Sequence, residues 1–309
     1  MADATRAEHD PFAIDGPALI SFSGGRTSAF MLHEILARGL RDDVHVTFAN
    51  TGEEAAETLD FVHACATRWK VPIRWLEYER AYLPEYKSEA AREAAALARH
   101  ASGRIANDRP RGAKERGFRE VTYETANRDG GPYRNFVEMH GLPNPATRTC
   151  TAELKIRVMK KFMRELGYDR WDVVMGIRAD EPKRVRLLRA SPPERWEHVM
   201  PLADASITEA DVLRFWQSQP FDLQLARDPE DGTYLGNCTG CMLKGTAKLV
   251  RVERERPGSL ARWEAAESDT RSRFRLDRPT YAQLTHRASL PILRQTNLFD
   301  DIGDCFCHD

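Results

Sequence analysis

Apolar positions in the first eighty residues alternate between short continuous runs and spaced repeats. Ala18-Leu19-Ile20-Ser21-Phe22 is a run of strand length that stops at Gly24-Gly25. Ala29, Phe30, Leu32, Ile35 and Leu36 then recur at the spacing of a helix with one buried face. The alternation repeats: Val44-His45-Val46-Thr47-Phe48 ends at Asn50-Thr51-Gly52, Leu59, Val62 and Ala66 mark a second helix, and Ile73-Arg74-Trp75-Leu76 reads as a third strand. Strands separated by helices predict an α/β fold with a parallel sheet, because a helical crossover returns each strand in the same direction. Such sheets bind ligands beyond the carboxyl ends of their strands, which places the expected site near Ser23 to Ser28 and Asn50 to Glu54.

Between about Pro84 and Pro145 the pattern breaks down. An Ala/Glu/Arg-rich helical stretch, Ser88 to His100, leads into a Gly/Pro/Asn/Arg-rich run with little periodicity, read as a helical insertion over the site. A basic helix follows from Ala152 to Leu166, then an apolar strand from Trp171 to Met175 that is expected to close the sheet at Gly176-Ile177-Arg178. Thr208 and Asp211 have the spacing of a capping box at the start of another helix. The expected organisation is a tail over 1–17, an α/β domain over 18–220 with its insertion at 84–145, and a helical C-terminal region over 221–309 that contains a C-x-x-C and a Cys-rich tail.

Composition narrows the function. With 41% hydrophobic and 30% charged residues, the chain of 309 residues has the balance of a globular protein and is too polar for a membrane protein. Its 46 basic and 47 acidic residues leave a net charge of -1, so overall basicity gives no argument for nucleic-acid binding. Locally, Arg104 to Arg128 carries seven basic and four acidic residues, which suits either contact with a nucleic-acid acceptor or a solvated lid. The opening MADATRAEHDPFAIDG has neither the apolar run of a secretory signal nor that of a membrane span, and a cytoplasmic location is expected. The six cysteines then point to metal or thiol chemistry rather than to disulfides.

Ser23-Gly24-Gly25-Arg26-Thr27-Ser28 lies between a strand and a helix. Glycines there allow close approach of the backbone, the first amides of the helix favour an anion, and three hydroxyls add donors. The pattern is that of a phosphate site, although it is not the G-x-x-x-x-G-K-[ST] loop. Among the cysteines, Cys65 sits with Val62 and Ala66 on a helix and reads as core. Cys150 precedes a helix carrying Lys155, Arg157, Lys160 and Lys161, which favours its thiolate. Cys238-Thr239-Gly240-Cys241 is either a redox pair or part of a metal site.

The Ser23 to Ser28 segment resembles the SGGxxS pyrophosphate loop of the PP-loop enzymes. Asn50-Thr51-Gly52-Glu53-Glu54 followed by Glu57-Thr58 looks like the TG…ET segment of the phosphoadenosine phosphosulfate (PAPS) reductase branch. Arg148-Thr149-Cys150 with Lys155, and Gly176-Ile177-Arg178 with Asp180, Glu181 and Arg184, match that branch in order. The resemblance covers most of 18–245 and implies a Rossmann-like parallel-sheet PP-loop fold, of the adenine nucleotide alpha hydrolase-like type. It implies an adenine nucleotide, ATP or APS/PAPS, with its phosphates on Ser23, Gly24, Gly25, Arg26, Thr27 and Ser28. Base and ribose would lie near Asn50, Thr51 and Gly52. Arg178 and Arg184 would hold a second phosphate or a sulfate, against the simpler reading that they pair with Asp180 and Glu181. Glu53, Glu54 and Glu57 would serve the helix start or approach Mg²⁺ through water.

For the cysteines the resemblance implies a [4Fe-4S] cluster on Cys150, Cys238 and Cys241, with zinc and a plain redox pair as competing readings. Iron-sulfur adenylylsulfate reductases are similar but carry adjacent cysteines where this chain has Cys150-Thr151. The fourth ligand would then be Cys305 or Cys307, with Cys307 preferred, or one iron would stay open. Asp304-Cys305-Phe306-Cys307-His308 loosely resembles the terminal E-C-G-L-H of sulfonucleotide reductases, which gives Cys305 and Cys307 a catalytic reading as well. Three functions follow as expectations: an ATP pyrophosphatase that adenylates an acceptor for sulfur transfer, an APS/PAPS reductase forming sulfite, or a non-catalytic nucleotide and redox sensor. Partners would be the nucleotide, a nucleic-acid or other acceptor of sulfur, and an unidentified sulfur or electron donor.

Overall fold

The alternating apolar pattern places neighbouring strand residues on opposite faces of one sheet. The computed structural model describes residues 10–79, 117–192, 194–227, 235–236 and 238–291. Its six strands are β1 (Ala18–Ser21), β2 (Val44–Asn50), β3 (Ile73–Tyr78), β4 (Phe118–Val121), β5 (Trp171–Met175) and β6 (Trp196–Val199), in the order β4-β3-β2-β1-β5-β6. All neighbours are parallel except the edge pair β3 and β4. The expected α/β parallel sheet is present, with an antiparallel edge strand added.

One face packs Ile20, Phe48 and Trp75 against α1 (Arg26–Arg38) and α2 (Ala56–Trp69). On the other, Leu19, Ala49 and Leu76 meet Val158, Phe162 and Met163 of α4 (Arg157–Glu165). This is the period-two alternation of strands buried on both sides. Phe221, Leu223 and Leu225 pack with the first of these cores, so the chain leaves the α/β layers only beyond Leu225.

The sequence pattern misleads at three places. The segment after Gly117, expected to be irregular, contains β4 and α3 (Gly131–His140). The sheet does not close at β5, because β6 adds to its edge after α5 (Pro182–Arg189). The basic helix begins as a turn at Thr149–Thr151, widens into a π-helical stretch over Ala152–Ile156, and only then becomes α4. The capping box is present: Asp211 Oδ2 accepts from the Thr208 amide at 3.0 Å at the head of α6 (Glu209–Gln217).

A third core joins α3 to the C-terminal helices α7 (Thr246–Glu255), α8 (Ala261–Thr270) and α9 (Tyr281–Ser289). Tyr133, Phe136, Leu249, Trp263, Phe274 and Tyr281 form its interior, and Cys150 and Cys238 pack against it. Among the described residues no helix is long and apolar enough to cross a membrane.

Candidate functional site

From β1 the chain runs outward to β2 and β3, then returns to place β5 on the other side of β1. The carboxyl ends of β1 and β5 therefore flank a topological switch point, where open α/β sheets form their ligand crevice. Residues 23–28 leave β1 there, and Gly176 to Arg178 leave β5 beside them.

The turn is built for close approach. Gly24 has φ +81°, and a Cβ on it would lie 2.7 Å from Thr58 Cγ2, so only glycine fits. A Cβ on Gly176 would sit 3.0 Å from Ser28 Cα, which is how the β5 end comes against the first turn of α1. Ser23 Oγ and Ser28 Oγ are 2.9 Å apart, and Ser28 Oγ also accepts from the Ser23 amide at 3.2 Å. The first amide to reach back along α1 is Ala29, to Gly25 O at 3.0 Å. Helix geometry leaves the amides of Arg26, Thr27 and Ser28 without acceptors of that kind. Hydroxyls and helix-start amides thus share one turn.

Arg178 extends this arrangement across the switch point. Its Nη1 donates to Thr27 Oγ1 at 3.2 Å, its Nε donates to Asp180 Oδ1 at 2.9 Å, and Asp180 Oδ2 in turn accepts from the Glu209 amide at 3.0 Å. Arg184 pairs with Glu181, whose other oxygen accepts from the Arg178 amide at 3.0 Å. Both arginines are therefore engaged by the acids that follow β5, and Arg178 also reaches the loop.

Two side chains expected to face the nucleotide are engaged elsewhere. Arg26 is buried, with Nε and Nη2 on Asp222 at 2.7 and 2.8 Å, and its carbonyl takes the Trp216 indole N–H at 2.9 Å. Its side chain holds α1 to the 221–225 segment, which leaves its amide as its contribution to the loop. Asn50 is fully buried; its Nδ2 donates to Glu77 Oε1 at 2.7 Å and Asn127 O at 2.9 Å, and its Oδ1 accepts from the Gly52 amide. These bonds fix the turn after β2 and consume the groups Asn50 would offer to a base.

That turn is bolted to the cysteine loop. Glu54 accepts from the Thr51 amide at 2.9 Å and lies 3.7 Å from Lys155 Nζ. Thr51 Oγ1 is 3.6 Å from Cys238 Sγ. Thr239 donates its amide to Glu53 O at 2.8 Å, and residues 54 and 238 form an isolated β-bridge. The Glu53 carboxylate, 2% exposed, takes three bonds from Arg262 of α8 at 2.8 to 3.1 Å. Burial pushes its pKa above the ordinary carboxylate value while Arg262 draws it down. Glu57 pairs with Arg256. All three acids of this segment thus have protein partners, as helix-start and packing groups.

The C-x-x-C loop itself is gripped from below. The Cys241 amide donates to Cys238 O at 3.0 Å, and the buried Lys244 donates to Cys238 O and Thr239 O, each at 3.1 Å. Tyr281 Oη donates to Gly240 O at 2.6 Å. Gly240 lies flat on Trp263, where a Cβ would be 2.4 Å from the indole.

Cys150, Cys238 and Cys241 converge around Tyr133, and each raises the pKa of that buried phenol. Burial, and then the field of Cys241, push the Cys150 thiol up; the Thr151 amide and Lys155 only partly offset this. The expectation that its basic helix favours the free thiolate is therefore corrected: desolvation outweighs Lys155. Cys238 is pushed up well above the thiol range, first by burial and then by Glu54. Among the described residues no three His, Cys, Asp or Glu side chains are disposed to hold a metal ion as they stand. Cys150 and Cys238 nonetheless pack against the same core, and thiols are the donors a soft metal centre uses. Cys65 is buried in the first core, as expected. Cys305 and Cys307 lie outside the described residues.

Sequence reasoning missed Glu77, Asn127, Lys244 and Arg262. Glu77 offered one signal: an acid in a buried strand, which needs partners. Arg262 is 209 residues from Glu53, and no spacing rule connects them.

Residues 17–103 match the phosphoadenosine phosphosulfate reductase domain. The uncharacterized nin region protein ORF290 of Escherichia phage lambda is 32% identical over 234 residues, which cover 75% of this chain and 67% of that protein. The chain belongs to the PAPS reductase family. Two solved structures are more distant. PAPS reductase from Candida auris, in a phosphate complex, is 14% identical over 69% of this chain and 81% of its own, with a TM-score of 0.35. U34-tRNA thiolase NcsA from Methanococcus maripaludis, with its [4Fe-4S] cluster, is 12% identical over 90% of this chain and 74% of its own, with a TM-score of 0.38.

Proposed function

We propose that this member of the PAPS reductase family cleaves ATP between the α and β phosphates to adenylate an acceptor for sulfur transfer. The observation that carries the reading is the turn of Ser23 to Ser28, which brings together the Ser23 and Ser28 hydroxyls, the first turn of α1 and the Arg178-bound Thr27, an arrangement suited to an anion. A reaction that expels pyrophosphate needs such a cradle, because the leaving group gains charge as the α-phosphorus bond breaks. An acceptor oxygen attacks the α phosphorus and pyrophosphate departs; a sulfide-class donor then adds to the activated carbon, and AMP leaves with the acceptor oxygen. In this reading the loop binds and orients the polyphosphate, and Arg178 holds Thr27 in place.

Cys150, Cys238 and Cys241 would hold an iron-sulfur cluster, with Cys307 as fourth ligand, and that thiolate would have to give way before an iron could take the incoming sulfur. Mg²⁺ would accompany the polyphosphate from solvent, since Glu53, Glu54 and Glu57 are paired within the protein.

The second reading is an APS/PAPS reductase. The family assignment favours it, as does the Cys305/Cys307 tail, which would supply the thiol that takes the sulfur. Anaerobic protein given ATP, APS and PAPS separately distinguishes the two. Pyrophosphate and AMP from ATP support adenylation, whereas sulfite from APS or PAPS with no pyrophosphate from ATP replaces it with reduction.

A further inference from the structure

A surface helix that buries none of its side chains needs another reason for its sequence. α5, Pro-Lys-Arg-Val-Arg-Leu-Leu-Arg, is such a helix: four of its eight residues are cationic, none is acidic and none is buried. Leu187 is 68% exposed. Two of its charges have acidic neighbours, Arg184 with Glu181 and Arg189 with Asp204, and Lys183 and Arg186 add to them. In a chain of net charge -1 this is a concentrated cationic strip.

Beside the strip runs a groove of about 600 Å³. Ala179, Pro182, Val185, Ala190 and Ala203 give it an apolar lining, and Arg186 and Arg189 give it charge. Ala179 directly follows Arg178, whose guanidinium touches Thr27 of the anion loop. The lining of the groove thus starts at the residue after Arg178.

We propose that this groove receives a single-stranded stretch of nucleic acid, with a base against the Ala179, Pro182 and Val185 wall and the flanking phosphates on Lys183, Arg186 and Arg189. An apolar slot with guanidinium groups accepts the flat face of an unpaired base, and the cations track the backbone. Duplex bases are stacked inward and would leave the slot unused. This deepens the adenylation reading, on which it rests for its purpose: it gives the acceptor a binding surface on the segment that follows Arg178. It also shifts the expected acceptor contact away from Arg104 to Arg128.

The test uses the full chain, a fluorescein-labelled 15-nucleotide single-stranded RNA, the DNA equivalent and a blunt duplex, read by anisotropy across a salt series. Arg186→Glu should weaken single-strand binding about tenfold and reduce the salt slope by about one; adding Arg189→Glu should weaken it further. Arg287→Glu on α9, a charge change elsewhere, should leave binding unchanged. Circular dichroism checks folding, and if the double variant misfolds, Arg186→Glu decides alone. Equal affinity of wild type and Arg186→Glu, tighter binding of the duplex, or no binding by wild type would each overturn the proposal. ATP affinity without oligonucleotide, measured on the same samples by titration calorimetry, should match between wild type and Arg186→Glu. If wild type releases no pyrophosphate from ATP while Arg186→Glu loses the oligonucleotide, the adenylation reading falls and the groove stands.

Discussion

Arg178 Nη1 donates to Thr27 Oγ1 across 3.2 Å, joining the end of β5 to the first turn of α1. The contact is only as good as the chain of partners behind Arg178, namely Asp180 and the Glu209 amide at the head of α6. Arg178→Ala should lower ATP or APS affinity at least tenfold by titration calorimetry, the loss expected for a buried charge-assisted contact to an anion site. Arg178→Lys should recover little, since an ammonium does not reproduce the two-directional fork. Wild-type affinity in Arg178→Ala would detach the β5 end from the site.

The glycines of the loop should fail in different ways. Gly24→Ala forces a side chain into φ +81° and against Thr58, so it should cost about 2 kcal/mol in chemical denaturation. Gly25 has φ -101° at the helix N-cap, where valine is conformationally allowed. Gly25→Val should therefore fold yet lose nucleotide binding, because its side chain would fill the approach to the amides. Retained affinity in a folded Gly25→Val protein would remove the loop from the site.

The Glu53 and Arg262 pair gives a pH-dependent prediction. Burial holds the Glu53 pKa above its ordinary 4.5, and Arg262 lowers it. Removing Arg262 raises the folded pKa further. A carboxyl with a raised folded pKa contributes its stability fully below the unfolded value, and that contribution disappears as pH rises through the folded one. Arg262→Met should therefore be closest to wild type near pH 4.5 and fall behind towards neutrality, by about 2 kcal/mol at pH 7, discounted because Arg262 is half-exposed. A gap that is constant with pH would mean that Arg262 contributes packing alone.

Much of this architecture is legible in the chain's periodicity. Strands buried on both faces and helices with one apolar stripe announce β1 to β3, β5 and the two early helices. β4 and β6 escape because they are edges: Phe-Arg-Glu-Val buries only Phe118, and Trp-Glu-His-Val buries none of its residues fully. α3 does show the spacing of Tyr133, Phe136 and Val137, but Gly130 and Gly131 read as a loop. The loop hydroxyls and the C-x-x-C spacing are local and could be found. What could not be found is the use of each polar group: whether Arg26 faces an anion or Asp222 depends on a partner 196 residues away.

The cysteine loop should respond to its support as well as to its sulfur atoms. Anaerobic protein should be brown, and Cys238→Ser should lose iron and sulfide together. Gly240→Ala, which keeps every thiol, should also lose iron, because its Cβ would collide with Trp263 and displace the turn. Stoichiometric zinc in a colourless protein would replace the iron-sulfur assignment with a structural metal.

Truncation after Gly303 separates the two roles given to Cys305 and Cys307. Ligation by Cys307 predicts a bleached or oxygen-labile cluster on removal of the tail, since an iron deprived of thiolate must take another ligand. Full iron content with abolished sulfur transfer would reassign the tail to nucleophilic chemistry.

The turn from Thr51 to Glu54 leaves the protein without a seam. It leads into α2 on one side and carries Thr239 and Arg262 on the other, so the α/β core and the helical core share one four-residue hinge pin. Thermal agitation that loosens either core must strain this pin before the other can ignore it. A single melting transition is therefore expected, in which the C-x-x-C loop and the turn of Ser23 to Ser28 lose their order at the same temperature.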